Sequence, residues 1–538
     1  MHQHTQVSRR DFLKGASAAA LAAGVTELFG EPKAAFADDR DSGAPSGQSA
    51  TGLFPKDINE DPYFDKPAEI TDFADEESYD VVVIGAGASG VPAACAAAEN
   101  GARVAVLQKA SRVYSHGIIW AGFNAPSLIQ QMGFTYSDQQ IAAMKREFQE
   151  LNSYATDTAL LNRFFEEGPE AIDWQITRAK SFGLQPMFFG NEAHVVAWPM
   201  QSSQLNQTFA DHYERDYDLT MYYSTPAVQL VAEDGAVRGA IGQRSDGSYL
   251  KLNASKGVVI ATGAYGANKE LIARWCPSAS IFPNGLYPET NMGDGDMMAI
   301  WAGADISPTP HTKKIDIRFY GTSPARTDIE KQPFLLVNNK GRRMGREDAP
   351  EMQQNDALMR DPSDNGTYFC IFDANYGDWL KSIGQDSAVL SAEEITEYEN
   401  TARPMLWEAG TLEELAKKAG IDGENLAVTV DRYNELAAAG YDTDFYKDPA
   451  NLYQIGTPPF YAMVRQYTVG AILGGLKVNA DCQVLSRSNG TPIEGLYAVG
   501  NDMGGLQRST NYSWHDYGFT LGPAATFGYM VGRNLAQA

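Results

Sequence analysis

The chain has 538 residues, more than one hydrophobic core supports, so at least two domains are expected. Its formal net charge of −25 argues against nucleic acid or an anionic membrane surface as partner. The four cysteines (Cys95, Cys276, Cys370 and Cys482) form no C-x-x-C pair, so zinc, iron–sulfur and attached haem lack a ligand set and no metal is expected.

Read from the N-terminus, residues 8–14 have the S-R-R-x-F-L-K form, a weakly apolar Ala/Gly/Leu stretch follows, and Ala35-Phe36-Ala37 fits an A-x-A cleavage site. The three features in that order predict a twin-arginine signal over residues 1–37, the route taken by proteins that acquire their cofactor before export. Residues 38–78 are rich in Asp, Gly, Ser and Pro and read as a linker. No later segment reaches the ~18 apolar residues of a membrane span. The mature chain is expected in the periplasm or at the cell surface, associated with a membrane only through a partner.

Residues 79–84 (YDVVVI) predict a buried parallel strand, and an Ala-rich helix follows to about Asn100. Between them, residues 85–90 give G-x-G-x-x-G in the strand–turn–helix setting it requires. Gly85 permits the tight turn, Gly87 lets backbone approach a pyrophosphate, and Gly90 lets helix and strand pack closely. Ala88 and Ser89 bring the helix N-terminus to the phosphates. A second strand, residues 103–107, ends on Gln108, where an acidic residue normally grips the ribose; the amide is expected to make the weaker contact.

Three later segments select FAD over NAD. Residues 257–265 form a strand ending in the Ala261-Thr262-Gly263 turn. Residues 495–502 form another, ending at Gly500-Asn501. Gly522-Pro523-Ala524 then opens a C-terminal helix. With these, residues 291–295 (NMGDG, with Asp294), 334–343 (FLLVNNKGRR) and 474–479 (GGLKVN) make residues 79–538 resemble the flavoprotein family of fumarate reductases, succinate dehydrogenases, urocanate reductases and 3-ketosteroid Δ1-dehydrogenases. The resemblance implies an α/β fold: a discontinuous Rossmann-like FAD-binding domain (79–305 and 472–538) with an inserted α+β capping domain (306–471). It extends the cofactor set to Lys109, Ser115, His116, Gly117, Ala121, Gly122 and Val228. Ser115-His116-Gly117 is similar to the S-H-T of succinate dehydrogenase, whose histidine carries FAD covalently, but the following residues diverge and non-covalent FAD is expected. Within the cap, residues 411–420 and 426–439 predict amphipathic scaffold helices.

A flavin exchanges hydride with one carbon of an activated double bond, so the protein must polarise the activating group and handle a proton at the neighbouring carbon. Residues 512–518 (YSWHDYG), just before the C-terminal helix, are the densest candidates. In the ketosteroid branch this place resembles Y-P-G-P-G; Gly518 matches the last Gly, Trp514 falls at the Tyr position, and Tyr512 and Tyr517 flank it. Tyr512, His515, Tyr517 and Arg508 are the expected catalytic groups. Trp514, Gly518, Arg465 and His311 are the expected substrate contacts. The histidine that dicarboxylate reductases place just before the GG of residues 474–475 is replaced here by GAIL (470–473), and the arginine after their GkRF segment has no clear match. A bulkier, less charged enone, acrylate or steroid is therefore expected. The first reading is an exported reductase of an activated C=C bond, fed by a separate cytochrome or quinone-linked carrier. A 3-ketosteroid Δ1-dehydrogenase-type desaturase and a non-catalytic flavin carrier stand as alternatives.

Overall fold

The computed structural model describes residues 58–538 apart from 116, 189–193, 283–284, 286–288, 318–328, 330, 365, 401–403 and 509–517. Strand β1 (Asp75–Ile84) leads into helix α1 (Gly90–Glu99), and β2 (Val104–Leu107) lies parallel to β1 with Val82 opposite Ala105. Val81, Val82, Val83 and all of β2 are buried, as a parallel strand covered on both faces requires. Strand β3 (Leu219–Tyr222) extends the sheet beyond β2. The antiparallel pair β4 (Ala227–Glu233) and β5 (Ala236–Gln243) joins it through β6 (Tyr249–Ile260), which runs parallel to β1 on its other side. Helix α2 (Asp294–Trp301) follows.

The chain then builds a separate five-stranded antiparallel sheet. Its strands are β7 (Thr312–Ile317), β8 (Leu335–Asn338), β9 (Thr367–Asp373), β10 (Leu406–Ala409) and β11 (Phe460–Leu473). The order is β7-β11-β9-β8, with β10 also on β11. Strands β12 (Gln483–Leu485) and β13 (Pro492–Ala498) return to the first sheet, β13 parallel to β6, to complete eight strands in order β12-β13-β6-β1-β2-β3 with β5 on β6 and β4 on β5. The last helix, α3 (Leu521–Gln537), packs on α1. The architecture is the mixed α/β flavoprotein fold expected from the sequence, with the first sheet assembled from both ends of the chain.

Local differences from the sequence reading have clear causes. β1 starts four residues before residue 79, because Asp75 to Ser78 pair with Leu250 to Asn253 of the long strand β6. The end of the expected linker is docked: Phe64 stacks on Trp275 at 5.6 Å between ring centroids, and Asp61 pairs with Arg274 at 2.8 Å. One buried aromatic and one ion pair are enough to override a loop-like composition. The scaffold helices form as Leu412–Ala419, with Thr411 as N-cap and Gly420 in the left-handed region, and as Gly423–Ala439, which starts early because Asp422 caps it.

Candidate active site

The glycine turn is fixed by backbone on all sides. Gly85 has φ +101°, and a Cβ there would lie 2.4 Å from the Ala261 carbonyl oxygen; at Gly90 it would lie 1.9 Å from the Gly85 oxygen. Side chains at Gly528 and Gly532 would meet the oxygens of Ser89 and Ala93 at 2.2 and 2.0 Å, so α3 lies backbone against backbone on the first turns of α1. Gly500, φ +70°, abuts the Ser89 side chain. Residues 85–90, Gly500-Asn501 and the start of α3 thus meet at one place. Gly518 and Gly522 both press on Ala121, and Gly117 presses on Leu521, bringing the expected cofactor residues 117–122 to the same helix start. Lys109 pairs with Asp294 at 2.8 Å, and the Ser115 and Ser202 hydroxyls are 2.5 Å apart. Val228 lies in β4, three residues after Thr225, whose N–H donates to the Gln108 carbonyl. His116 is outside the described residues.

Gln108 is held against the glycine turn. Its side-chain oxygen accepts the Ala86 N–H at 3.1 Å while its nitrogen donates to the Arg112 carbonyl at 2.8 Å. An amide makes both bonds, whereas a carboxylate faces the Arg112 oxygen without a proton to give. Gln108 thus braces the glycine turn from its first residues.

Two residues that the sequence reading did not single out as site groups stand behind Thr262-Gly263. Asp502 is fully buried and accepts from the Thr262 hydroxyl at 2.6 Å and the Gly263 N–H at 2.7 Å. Asp296, on α2, is also fully buried, and neither of its carboxyl oxygens has a hydrogen bond among the described residues. Burial pushes the Asp502 carboxyl up to about 7 against those two donors. Burial, with Asp502 and Asp294 adding repulsion, pushes Asp296 well above the carboxylate range. The folded chain therefore keeps protons that the unfolded chain releases, and stability falls as pH rises from about 4, the unfolded value, through about 7. Asp296→Asn, which removes the titrating acid without changing its shape, is expected to raise the melting temperature, more at about pH 8 than at about pH 5. Thermal scans at the two pH values check this, and a lower melting temperature at both contradicts it.

The expected substrate residues fall into three groups. Arg508 follows the cleft residue Gln507 in the chain: its guanidinium donates to the Pro308 carbonyl through one N–H, and its backbone N–H donates to Asn152 Oδ1 at 2.9 Å. Gly518 is placed against Trp120 and Ala121. His311 is the second group. It is 2% exposed, its Nδ1 pairs with the Tyr265 hydroxyl at 2.8 Å, and its Nε2 pairs with Ser307 Oγ at 3.1 Å. Burial pushes it down to about 4, so it is neutral, and the Gly474 backbone lies across its ring. It packs behind the G-G segment. Arg465 is also buried, on β11 opposite Tyr368, and lines a 390 Å³ cavity with Lys331, Gln332, Glu347 and Gln354. Leu473, at the other end of β11, lines the cleft at Gly500; eight residues of strand separate them, roughly 26 Å if straight. Arg465 therefore belongs to the interior of the second sheet. Tyr512, Trp514, His515 and Tyr517 lie outside the described residues.

The cleft itself runs between Gly500-Asn501 and Thr520, Pro523 and Ala524, with Leu473, Met503, Leu506 and Phe519 as apolar walls and Gln507 as the polar side chain added to the expected set. Its residues fit FAD: a glycine turn that only bare backbone can form, a helix start directly after it, and a buried amide in the cleft whose polar atoms have no partner among the described residues.

Comparison with known proteins agrees. Residues 80–512 match the model of the FAD binding domain family, and residues 6–26 match the twin-arginine translocation signal sequence. The chain is 26% identical over 503 residues to the vinyl phenol reductase of Lactiplantibacillus plantarum, covering 86% of this chain and 97% of that protein. It is 26% identical over 479 residues to a fumarate reductase (cytochrome) of Shewanella frigidimarina, covering 86% and 78%. In fold it is similar to the 3-ketosteroid-Δ4-(5α)-dehydrogenase of Rhodococcus jostii RHA1 in complex with 4-androstene-3,17-dione, with a TM-score of 0.63, 24% identity and coverage of 87% and 98%. The chain belongs to the FAD binding domain family, as an FAD-dependent oxidoreductase that carries a twin-arginine export signal.

Proposed function

We propose that this flavoprotein reduces an activated C=C bond outside the cytoplasmic membrane, in the periplasm or at the cell surface, with electrons from a separate cytochrome or quinone-linked carrier. The observation that carries the reading is the union of an export signal with a flavin cleft that has apolar walls. The apolar walls exclude water from the reacting carbons. Arg508 polarises the carbonyl or carboxylate that activates the double bond, using N–H groups left over from its bond to Pro308. Tyr512, His515 or Tyr517 delivers the proton to the α-carbon. When bound, FAD supplies hydride from N5 to the β-carbon.

A small dicarboxylate suits this site poorly. Two carboxylates call for cationic clamps at both ends, and of the expected histidine and arginine helpers His311 is sealed away and Arg465 sits deep in the second sheet. The similarity to a vinyl phenol reductase supports a substrate without two charges. The dithionite-reduced enzyme, freed of excess reductant, is expected to be reoxidised anaerobically by aryl-acrylates or enones far faster than by fumarate. Tyr512→Phe, His515→Ala and Tyr517→Phe serve as companions: at least one slows reoxidation, and full activity in all three contradicts the proton-donor assignment.

A further inference from the structure

Gln507 is 6% exposed, and neither its side-chain nitrogen nor its side-chain oxygen has a partner among the described residues. It lines the cleft with Gly500, Asn501, Thr520 and Ala524. Buried polar groups of native folds are partnered as a rule, so a carboxamide that faces a cleft with both of its polar groups unmade points to a ligand there. The loop is held on both sides of Gln507. The Gly505 carbonyl accepts the Asp157 N–H at 2.8 Å, and the Arg508 N–H donates to Asn152 Oδ1 at 2.9 Å. The side chain therefore stays in the cleft instead of swinging to a protein partner.

We propose that Gln507 recognises the pyrimidine edge of the flavin ring. That edge presents one N–H between two carbonyl oxygens, an imide. A carboxamide is its complement: Oε1 accepts from the imide N–H while Nε2 donates to one adjacent carbonyl, giving two parallel bonds. A water molecule or an isolated substrate carbonyl satisfies the amide less completely. The inference rests on FAD binding alone and is independent of which double bond is reduced.

The test uses the holoenzyme and reads FAD retention and the flavin midpoint potential. Gln507→Leu removes both bonds at nearly constant volume, and the dissociation constant for FAD is expected to rise roughly tenfold to a hundredfold. Gln507→Glu keeps the acceptor, loses the donor and adds negative charge. It is expected to hold FAD with intermediate affinity and to lower the midpoint potential, because the reduced ring is anionic. An unchanged melting temperature of the apoprotein in the Glu variant separates lost recognition from lost folding. FAD affinity within twofold of the native protein and an unchanged potential in both variants overturn the proposal. A rise in substrate KM with FAD affinity intact also overturns it, assigning the amide to substrate.

Discussion

Gly90→Ala is expected to yield protein that no longer retains FAD. A single methyl at residue 90 sits 1.9 Å from the Gly85 oxygen, 3.0 Å from the Gly85 carbon and 3.1 Å from the Ala261 side chain. The first two are backbone atoms, so no rotamer change relieves the contact. Either α1 withdraws or the turn opens, and both carry the N–H groups of the helix start away from the pyrophosphate. α1 cannot withdraw cheaply, because Gly528 and Gly532 clamp α3 directly on its backbone. Loss of FAD affinity by at least a hundredfold, roughly 3 kcal/mol, is expected, with the flavin absorbance absent from the purified protein. Gly456→Ala is the control, since a Cβ there meets nothing within 4 Å; it keeps full flavin content. Stoichiometric FAD in Gly90→Ala contradicts this account of the turn.

The second large effect is on turnover. Arg508→Ala is expected to lower kcat/KM by roughly 10²–10³-fold, the usual cost of removing a donor aimed at developing charge, with FAD content unchanged. Arg508 also ties its loop to Pro308, so loss of order is the competing explanation. Arg508→Lys separates the two, because lysine restores the charge without the planar fork. Partial rescue by lysine at an unchanged melting temperature supports polarisation. Activity of Arg508→Ala within threefold of the native enzyme removes Arg508 from the mechanism.

The parts of the site that were legible in the sequence are those made by neighbours along the chain. The 85–90 turn, the Thr262-Gly263 turn and the start of α3 declare themselves because strand, glycine and helix follow one another. Asp296 and Gln507 were illegible for the opposite reason. Asp296 is set against Asp502, and Gln507 against Thr520 and Ala524, only after the first sheet has closed from both ends of the chain. The surroundings of His311 were equally illegible, since its partners Tyr265 and Ser307 and the Gly474 backbone come from three separate segments. The burial of Arg465 was hidden because the sequence does not show how far its strand runs from the G-G motif. The bond of Gln108 to Arg112 was hidden because it depends on a turn no periodicity reveals.

The direction of hydride transfer decides the central claim. Gly518, with φ +87°, keeps the ketosteroid-like alternative in view. The most direct measurement is anaerobic flavin absorbance of the holoenzyme, titrated in the oxidised state with saturated 3-ketosteroids and in the reduced state with aryl-acrylates and enones. A reductase keeps its oxidised spectrum with the steroids and regains it from the reduced state with an enoate or enone, releasing the saturated product. Bleaching by a saturated 3-ketosteroid, with no enoate or enone able to reoxidise the reduced enzyme, contradicts the reductase and establishes the desaturase.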